Sequence, residues 1–185
     1  YTQNEGGEVV VASVSGVSVG LSRPLARAHF GQIVTVSGTA VDERAEVGLL
    51  TRNITIQGDT GSTPGYGGHL MVMGGGTAKI EGVELYHMGQ RAKLARYPMH
   101  WHMAGDVSGQ YFRNSSVWKT FSRCVTVHGS DNATVKDNVC YDHAGHGYFL
   151  EDGAESGNLI EGNLGMTSHD PGAGEARLSE PPAVA

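Results

Sequence analysis

One stretch of the chain repeats itself with a shift of 23 residues. Phe112-Arg-Asn-Ser-Ser-Val-Trp118 falls on Val135-Lys-Asp-Asn-Val-Cys-Tyr141. The same shift puts Val125 on Tyr148, Val127 on Leu150 and His128 on Glu151, with no gap. The period runs on in both directions. Val135-Lys-Asp-Asn-Val139 resembles Ile160-Glu-Gly-Asn-Leu164 at a shift of 25, and Ile80-Glu-Gly-Val-Glu-Leu85 resembles Phe112-Arg-Asn-Ser-Ser-Val117 at a shift of 32. Placing His102 on His128 gives 26, so the excess in the longer shift belongs to residues 90–96, which read as an inserted loop. A period in the low twenties, with short alternating strands and Gly/Asn/Asp turns, is the pattern of stacked coils. We expect each repeat to form one coil of a parallel β-helix, with coils about 4.8 Å apart.

Composition agrees with a turn-rich all-β chain: 28 glycines among 185 residues, and only 17% charged residues. The net charge of −6 and the lack of a basic stripe argue against nucleic acid as a partner. No run of about 18 apolar residues is present, so no membrane span is expected. Asn53-Ile-Thr, Asn114-Ser-Ser and Asn132-Ala-Thr match the N-glycosylation sequon, which fits a secreted glycoprotein. The two cysteines, Cys124 and Cys140, do not stack in the repeat register, and we expect free thiols.

Along the chain, the Val/Ser/Gly alternation of residues 8–21 reads as a strand, and Gln32-Ile-Val-Thr-Val-Ser as another. Residues 1–52 are assigned to N-terminal strands, 53–166 to the coils and 167–185 to a linker or tail. Residues 59–68 read as a loop leaving the helix body. The chain starts without Met and shows no cap for its last coil, so we expect a piece of a larger protein whose other segments cover the helix ends.

Residues 97–153 hold five of the nine histidines. Alternation along strands turns Met99, Trp101, Met103, Val125, Val127, Tyr148 and Leu150 inward. It turns His100 and His102 outward, with a column His102, His128, Glu151 on three coils and His100, Thr126, Phe149 beside it. Imidazoles and a carboxylate at strand spacing could hold a divalent metal, so His100, His102, His128 and Glu151 are candidate ligands. The alternative is a polar surface ladder. His146 falls over Arg123 and is a reserve ligand.

Glycoside cleavage uses two carboxyl groups. Asp42, Glu43, Glu46, Asp106, Glu151 and Asp152 are the acidic candidates, with Arg44 and Arg52 near the first three to bind an anionic substrate. Asp106 and Asp152 adjoin turns, where Asp also serves as a plain turn former. Trp118 and Tyr141 stack and could form a sugar platform or pack on a neighbouring strand. Asn114, Asn138 and Asn163 mark one corner and read as an internal Asn ladder, with Asn114 one place out of register.

Four stretches carry a family resemblance: Val41-Asp-Glu-Arg-Ala-Glu-Val-Gly-Leu-Leu-Thr-Arg-Asn-Ile, Arg96-Tyr-Pro-Met-His-Trp-His-Met-Ala-Gly-Asp106, Arg123-Cys-Val-Thr-Val-His-Gly129 and Gly147-Tyr-Phe-Leu-Glu-Asp-Gly153. They resemble the β-helix region of the cell-surface and cell-migration-inducing hyaluronidases, and equally the repeats of fibrocystin and its large homologue. The resemblance covers about residues 40 to 166. It implies a right-handed parallel β-helix at the cell surface or in an extracellular or lumenal location. It leaves two functions open. One is a polysaccharide-binding, hyaluronan-cleaving module with Asp42 and Arg44 leading the catalytic candidates, joined by Asp106 and Asp152, and with Arg52, Trp118 and Tyr141 binding substrate. The other is a non-catalytic structural or adhesive module of a fibrocystin-like protein, engaging other extracellular protein segments.

Overall fold

The computed structural model describes residues 7–59 and 65–170. The chain divides into two compact units, Tyr1–Val47 and Gly48–Ala185. The first consists of two hairpins. In the run read as one strand, β1 (Val11–Ser15) folds back at Gly16 onto β2 (Ser18–Leu21). β3 (Ile33–Val36) turns at Ser37-Gly38, both with positive φ, onto β4 (Thr39–Asp42). Two-residue hairpin loops favour such backbone conformations, because their twist matches that of the strands.

The second unit is a parallel β-solenoid of about four coils, with no helix among the described residues. Its strands are β5 (Ile54–Gln57), β6 (Leu70–Val72), β7 (Lys79–Glu81), β8 (Val83–Tyr86), β9 (Met99–Asp106), β10 (Tyr111–Arg113), β11 (Ser116–Thr120), β12 (Val125–Asp131), β13 (Thr134–Lys136), β14 (Val139–Ala144), β15 (Tyr148–Leu150), β16 (Leu159–Glu161) and β17 (Leu164–His169). Every third strand joins the same sheet. One sheet stacks β5, β8, β11, β14 and β17, the second β6, β9, β12 and β15, the third β7, β10, β13 and β16. Ile80, Phe112, Val135 and Ile160 are consecutive partners, as are Met99, Val125 and Tyr148. These are the shifts of 32, 23, 25 and 26 read from the sequence. Residues 171–185 of the assigned tail and residues 60–64 of the loop read at 59–68 lie outside the described residues.

The core is a single file of inward side chains, led by Leu85, Met99, Trp101, Phe112, Val117, Val125, Val127 and Val135. The two terminal coils are more open: Ile54 and Leu159 are exposed, and Leu150 faces inward on an edge strand yet stays 40% exposed. Met103 does not point in. The register between β9 and β12 shifts between His128 and Ser130, Met103 takes a positive φ at this bulge, and its side chain is 60% exposed. Gly129 sits opposite, where an added Cβ would fall 2.5 Å from Met103 Sδ.

The corners explain the Asn residues. Gly82, Asn114, Asp137 and Gly162 occupy one corner of four coils, all with positive φ. Gly, Asn and Asp adopt this left-handed conformation at least cost. Asn114 therefore serves the turn, and its side chain lies exposed and donates to Glu81. The buried ladder starts one residue later. Val83 N donates to Ser115 Oγ (3.2 Å), Ser115 N to Asn138 Oδ1 (3.0 Å) and Asn138 N to Asn163 Oδ1 (3.0 Å). Ser115 thus takes the rung first given to Asn114.

The cysteines are not free thiols. Cys124 and Cys140 form a disulfide with Cα atoms 6.1 Å apart. Both are fully buried core residues that meet across the inside of the solenoid. Stacking arithmetic compares one coil with the next and is blind to contacts across a coil. His143 lies against this bridge, and its ligating nitrogen is within 4.8 Å of both sulfurs. Burial first, and then the neighbouring His169 and His146, push its pKa down to about 4 despite the opposing pull of Gly145 and Asp142.

Asn138 satisfies the backbone of two coils, also donating to Phe112 O at 2.9 Å. Asn138→Ala is expected to destabilise the unit by about 3 kcal/mol in denaturant unfolding, whereas Asn114→Gly, which keeps the left-handed turn, changes stability by less than about 0.5 kcal/mol. A second expectation concerns acid. The unfolded His143 binds a proton near pH 6.5 and the folded one only near 4, so stability is lost as pH falls between these values and is level below them. The loss is at most roughly 3 kcal/mol. His143→Gln flattens this part of the curve in unfolding experiments run from pH 7 to 4.

Candidate functional site

The site lies on the outer face of the sheet formed by β6, β9, β12 and β15. Parallel pairing sets His100 beside Thr126 and His102 beside His128, and β12 and β15 continue the columns to Phe149 and Glu151. His102 Nδ1 and His128 Nδ1 are 3.0 Å apart. Glu151 Oε2 lies 3.7 Å from His128 Nδ1 and 4.0 Å from His100 Nε2. Asp152 Oδ2 approaches the other side of the His128 ring, 3.1 Å from Nε2. The ligating atoms of His100, His102 and His128 all fall within 4.8 Å of one another.

His100 is outward on its strand but not on the surface: it is 0% exposed. The inserted residues 90–96 roof it, and its Nδ1 lies 3.1 Å from Ala95 O. Burial first, then the neighbouring imidazoles and Arg123, push its pKa down to about 4, with the Ala95 carbonyl acting the other way. Its Nε2 and Glu151 Oε2 are buried without a hydrogen-bond partner. The polar surface ladder expected for this column is therefore a covered basin on its His100 side.

Two residues missed in the sequence complete the basin. Tyr97 and Arg123 lie two positions before Met99 and Val125, so the same register stacks them, and His146 follows in that column. Arg123 is buried between two rings, 3.9 Å from the Phe149 centroid and 4.7 Å from that of Tyr97. Its Nη1 donates to Tyr97 Oη at 3.1 Å and lies 3.3 Å from Glu151 Oε1. Tyr97 Oη in turn donates to Glu151 Oε1 at 3.4 Å. His146 stacks on Phe149. The arithmetic that placed His146 over Arg123 already contained this column.

The remaining candidates make other contacts. Asp42 and Arg44 are exposed in the N-terminal unit and hold each other at 2.6 Å. The hydrogen bonds from Arg44 hold the Asp42 pKa down to about 2. Arg52 directs its guanidinium at carbonyls: Nε to Asn114 O (2.8 Å) and Nη1 to Leu49 O (2.7 Å) and Thr51 O (2.9 Å). Asp106 Oδ1 accepts from Ser108 N, Ser108 Oγ and Asn132 Nδ2, as a turn-forming Asp does. Trp118 and Tyr141 are register partners on the sheet of β8, β11 and β14. Tyr86 extends their column, with its ring centroid 4.4 Å from that of Trp118, and Trp118 Nε1 donates to Glu84 Oε1.

These features define a class: a parallel β-solenoid bearing a roofed histidine–carboxylate basin on one outer sheet. Residues 65–180 match the CEMIP beta-helix family, and the chain belongs to that family. It is 40% identical over 158 residues to human "Cell surface hyaluronidase CEMIP2", covering 75% of this chain and 11% of that protein. It is 35% identical over 209 residues to human "Fibrocystin-L", covering 90% of this chain and 5% of that protein. A G8 domain-containing protein of Dictyostelium discoideum is 38% identical over 181 residues, 97% of this chain and 15% of the relative. The chain thus spans a small part of each of these relatives. No helix among the described residues is long and apolar enough to cross a membrane.

The buried Arg123 neutralises Glu151, and removing it leaves a carboxylate in a covered site. Arg123→Ala is expected to lower unfolding stability by about 3 kcal/mol. Arg123→Met keeps the apolar stem between Tyr97 and Phe149 and costs less. Urea titrations of the two variants beside the wild type test this.

Proposed function

We propose that this chain is the saccharide-engaging β-helix of an extracellular, hyaluronidase-like protein, with the His128–Glu151–Asp152 group as its working point. The observation that carries this reading is the collection of titratable side chains against one flat outer sheet. Arg123, Tyr97, His100 and Glu151 are buried or nearly so there, whereas a solvated ladder needs no covered charges. A flat parallel face suits an extended chain of sugars. Glu151 and Asp152 flank one imidazole and supply the two carboxyl groups that glycoside chemistry uses. The name of the CEMIP2 relative points to hyaluronan as the first polymer to try. The disulfide and the three sequons fit an oxidising, extracellular setting.

A second reading is favoured by different residues. Asp42 is held by Arg44, and Arg52 is engaged by backbone carbonyls. These side chains serve the fold, as in a structural or adhesive module like that of a fibrocystin-type protein.

The two readings separate in one experiment. Hyaluronan oligosaccharides are titrated into the chain by calorimetry, and polymer length is followed by gel filtration. The saccharide reading expects saturable binding, weakened at least about tenfold by Glu151→Gln or Asp152→Asn with the fold intact. A correctly folded wild type that neither binds nor shortens hyaluronan supports the structural module instead.

A further inference from the structure

We propose that His100, His102, His128 and Glu151 form a mononuclear site for a divalent transition metal ion of the zinc or cobalt kind. The assignment is independent of the saccharide reading, because the ion is measured with no glycan present.

Ala95 O can only accept a hydrogen bond, so His100 Nδ1 carries the ring proton and Nε2 presents a lone pair. That Nε2 is fully enclosed, has no hydrogen-bond partner, and faces Glu151 Oε2 at 4.0 Å. Glu151 Oε2 is also an acceptor without a hydrogen-bond partner. Similar reasoning applies to His128. The Asp152 carboxylate stands 3.1 Å from Nε2, an ion-pair contact that favours the proton on Nε2 and leaves the Nδ1 lone pair facing the basin. His102 Nδ1 stands 3.0 Å from that atom. It joins the set when its proton moves to its own Nε2.

His100 Nε2 and Glu151 Oε2 face each other with no donor between them, a costly arrangement unless a cation lies there. The separations suit one. Ligands about 2.0–2.1 Å from a tetrahedral ion stand roughly 3.3 Å from one another. The separations here are 3.0, 3.7 and 4.0 Å and the three imidazole nitrogens lie within 4.8 Å of one another, so side-chain shifts of up to about 1.5 Å, with Glu151 drawn in towards His102, complete the shell. Three imidazoles and one carboxylate are a nitrogen-rich set, which selects zinc, cobalt, nickel or copper over calcium and magnesium. The outer partners also match. Ala95 O orients His100 and the Asp152 carboxylate orients His128, the arrangement that fixes tautomers around bound metals.

The test uses the full chain, expressed without a polyhistidine tag and purified without chelator. Metal content is read by mass spectrometry. The chelator-stripped protein is then titrated with Co2+ while its visible absorption is recorded. The expected result is about one equivalent of metal per chain and the intense visible band of a nitrogen-rich four-coordinate site. Asp152→Asn is expected to weaken binding about 10- to 100-fold, and His102→Ala by at least as much. His102 is partly exposed, so its replacement leaves the core intact. The proposal is overturned if the folded wild type carries no stoichiometric metal and develops no band with Co2+. A water molecule between the acceptors then satisfies them. It is equally overturned if the band survives unchanged in His102→Ala. Should that variant lose its strand structure, the wild-type titration decides alone.

Discussion

The structure depends on one constraint: each coil must direct its backbone hydrogen bonds at the coils above and below. In a parallel stack these bonds run along the axis, and a residue is fixed to the column of its counterparts. Corners are the weak point, because strand pairing stops there. The chain meets this with one left-handed residue per turn and one buried side-chain rung beside it, as at Asn114 and Ser115 or Asp137 and Asn138. Core, corners and site all follow from the same register.

Register was therefore the most legible property of the sequence. Matching Phe112 to Val135 and His102 to His128 fixed three sheets, because a column once aligned carries its neighbours with it. What register cannot express was missed. The Cys124–Cys140 bridge crosses a coil instead of joining two. The bulge that turns Met103 outward is a backbone choice, hinted at only by Gly129 and Gly105. Asn114 was given the wrong job because the repeat shows that Asn recurs, but not whether a turn or a rung needs it.

The candidate site shows the same division. The columns of His102, His128 and Glu151 could be read by counting, yet the burial of His100 could not. Its cover comes from the inserted residues 90–96, the only part of that coil outside the period. The insertion that disturbs the repeat is what converts an outward imidazole into an enclosed one. Arg123 and Tyr97 occupied a countable column, but a Tyr above an Arg above a His carries no pattern by type. Their role emerges only when the rings of Tyr97 and Phe149 are seen to sandwich the guanidinium.

A solenoid needs none of this for its own stability. Its other columns are filled by Val, Phe and Leu inside and by Ser115, Asn138 and Asn163 at the corner, all fully satisfied. Burying Arg123 with Glu151 returns little net stability, since desolvation offsets most of the attraction. Leaving His100 Nε2 and Glu151 Oε2 without hydrogen bonds is a cost with no structural return. An apolar column at these positions would stack as well at lower cost. The basin is thus a place where the side chains oppose the economy of the fold, and such opposition is what a site for a ligand requires.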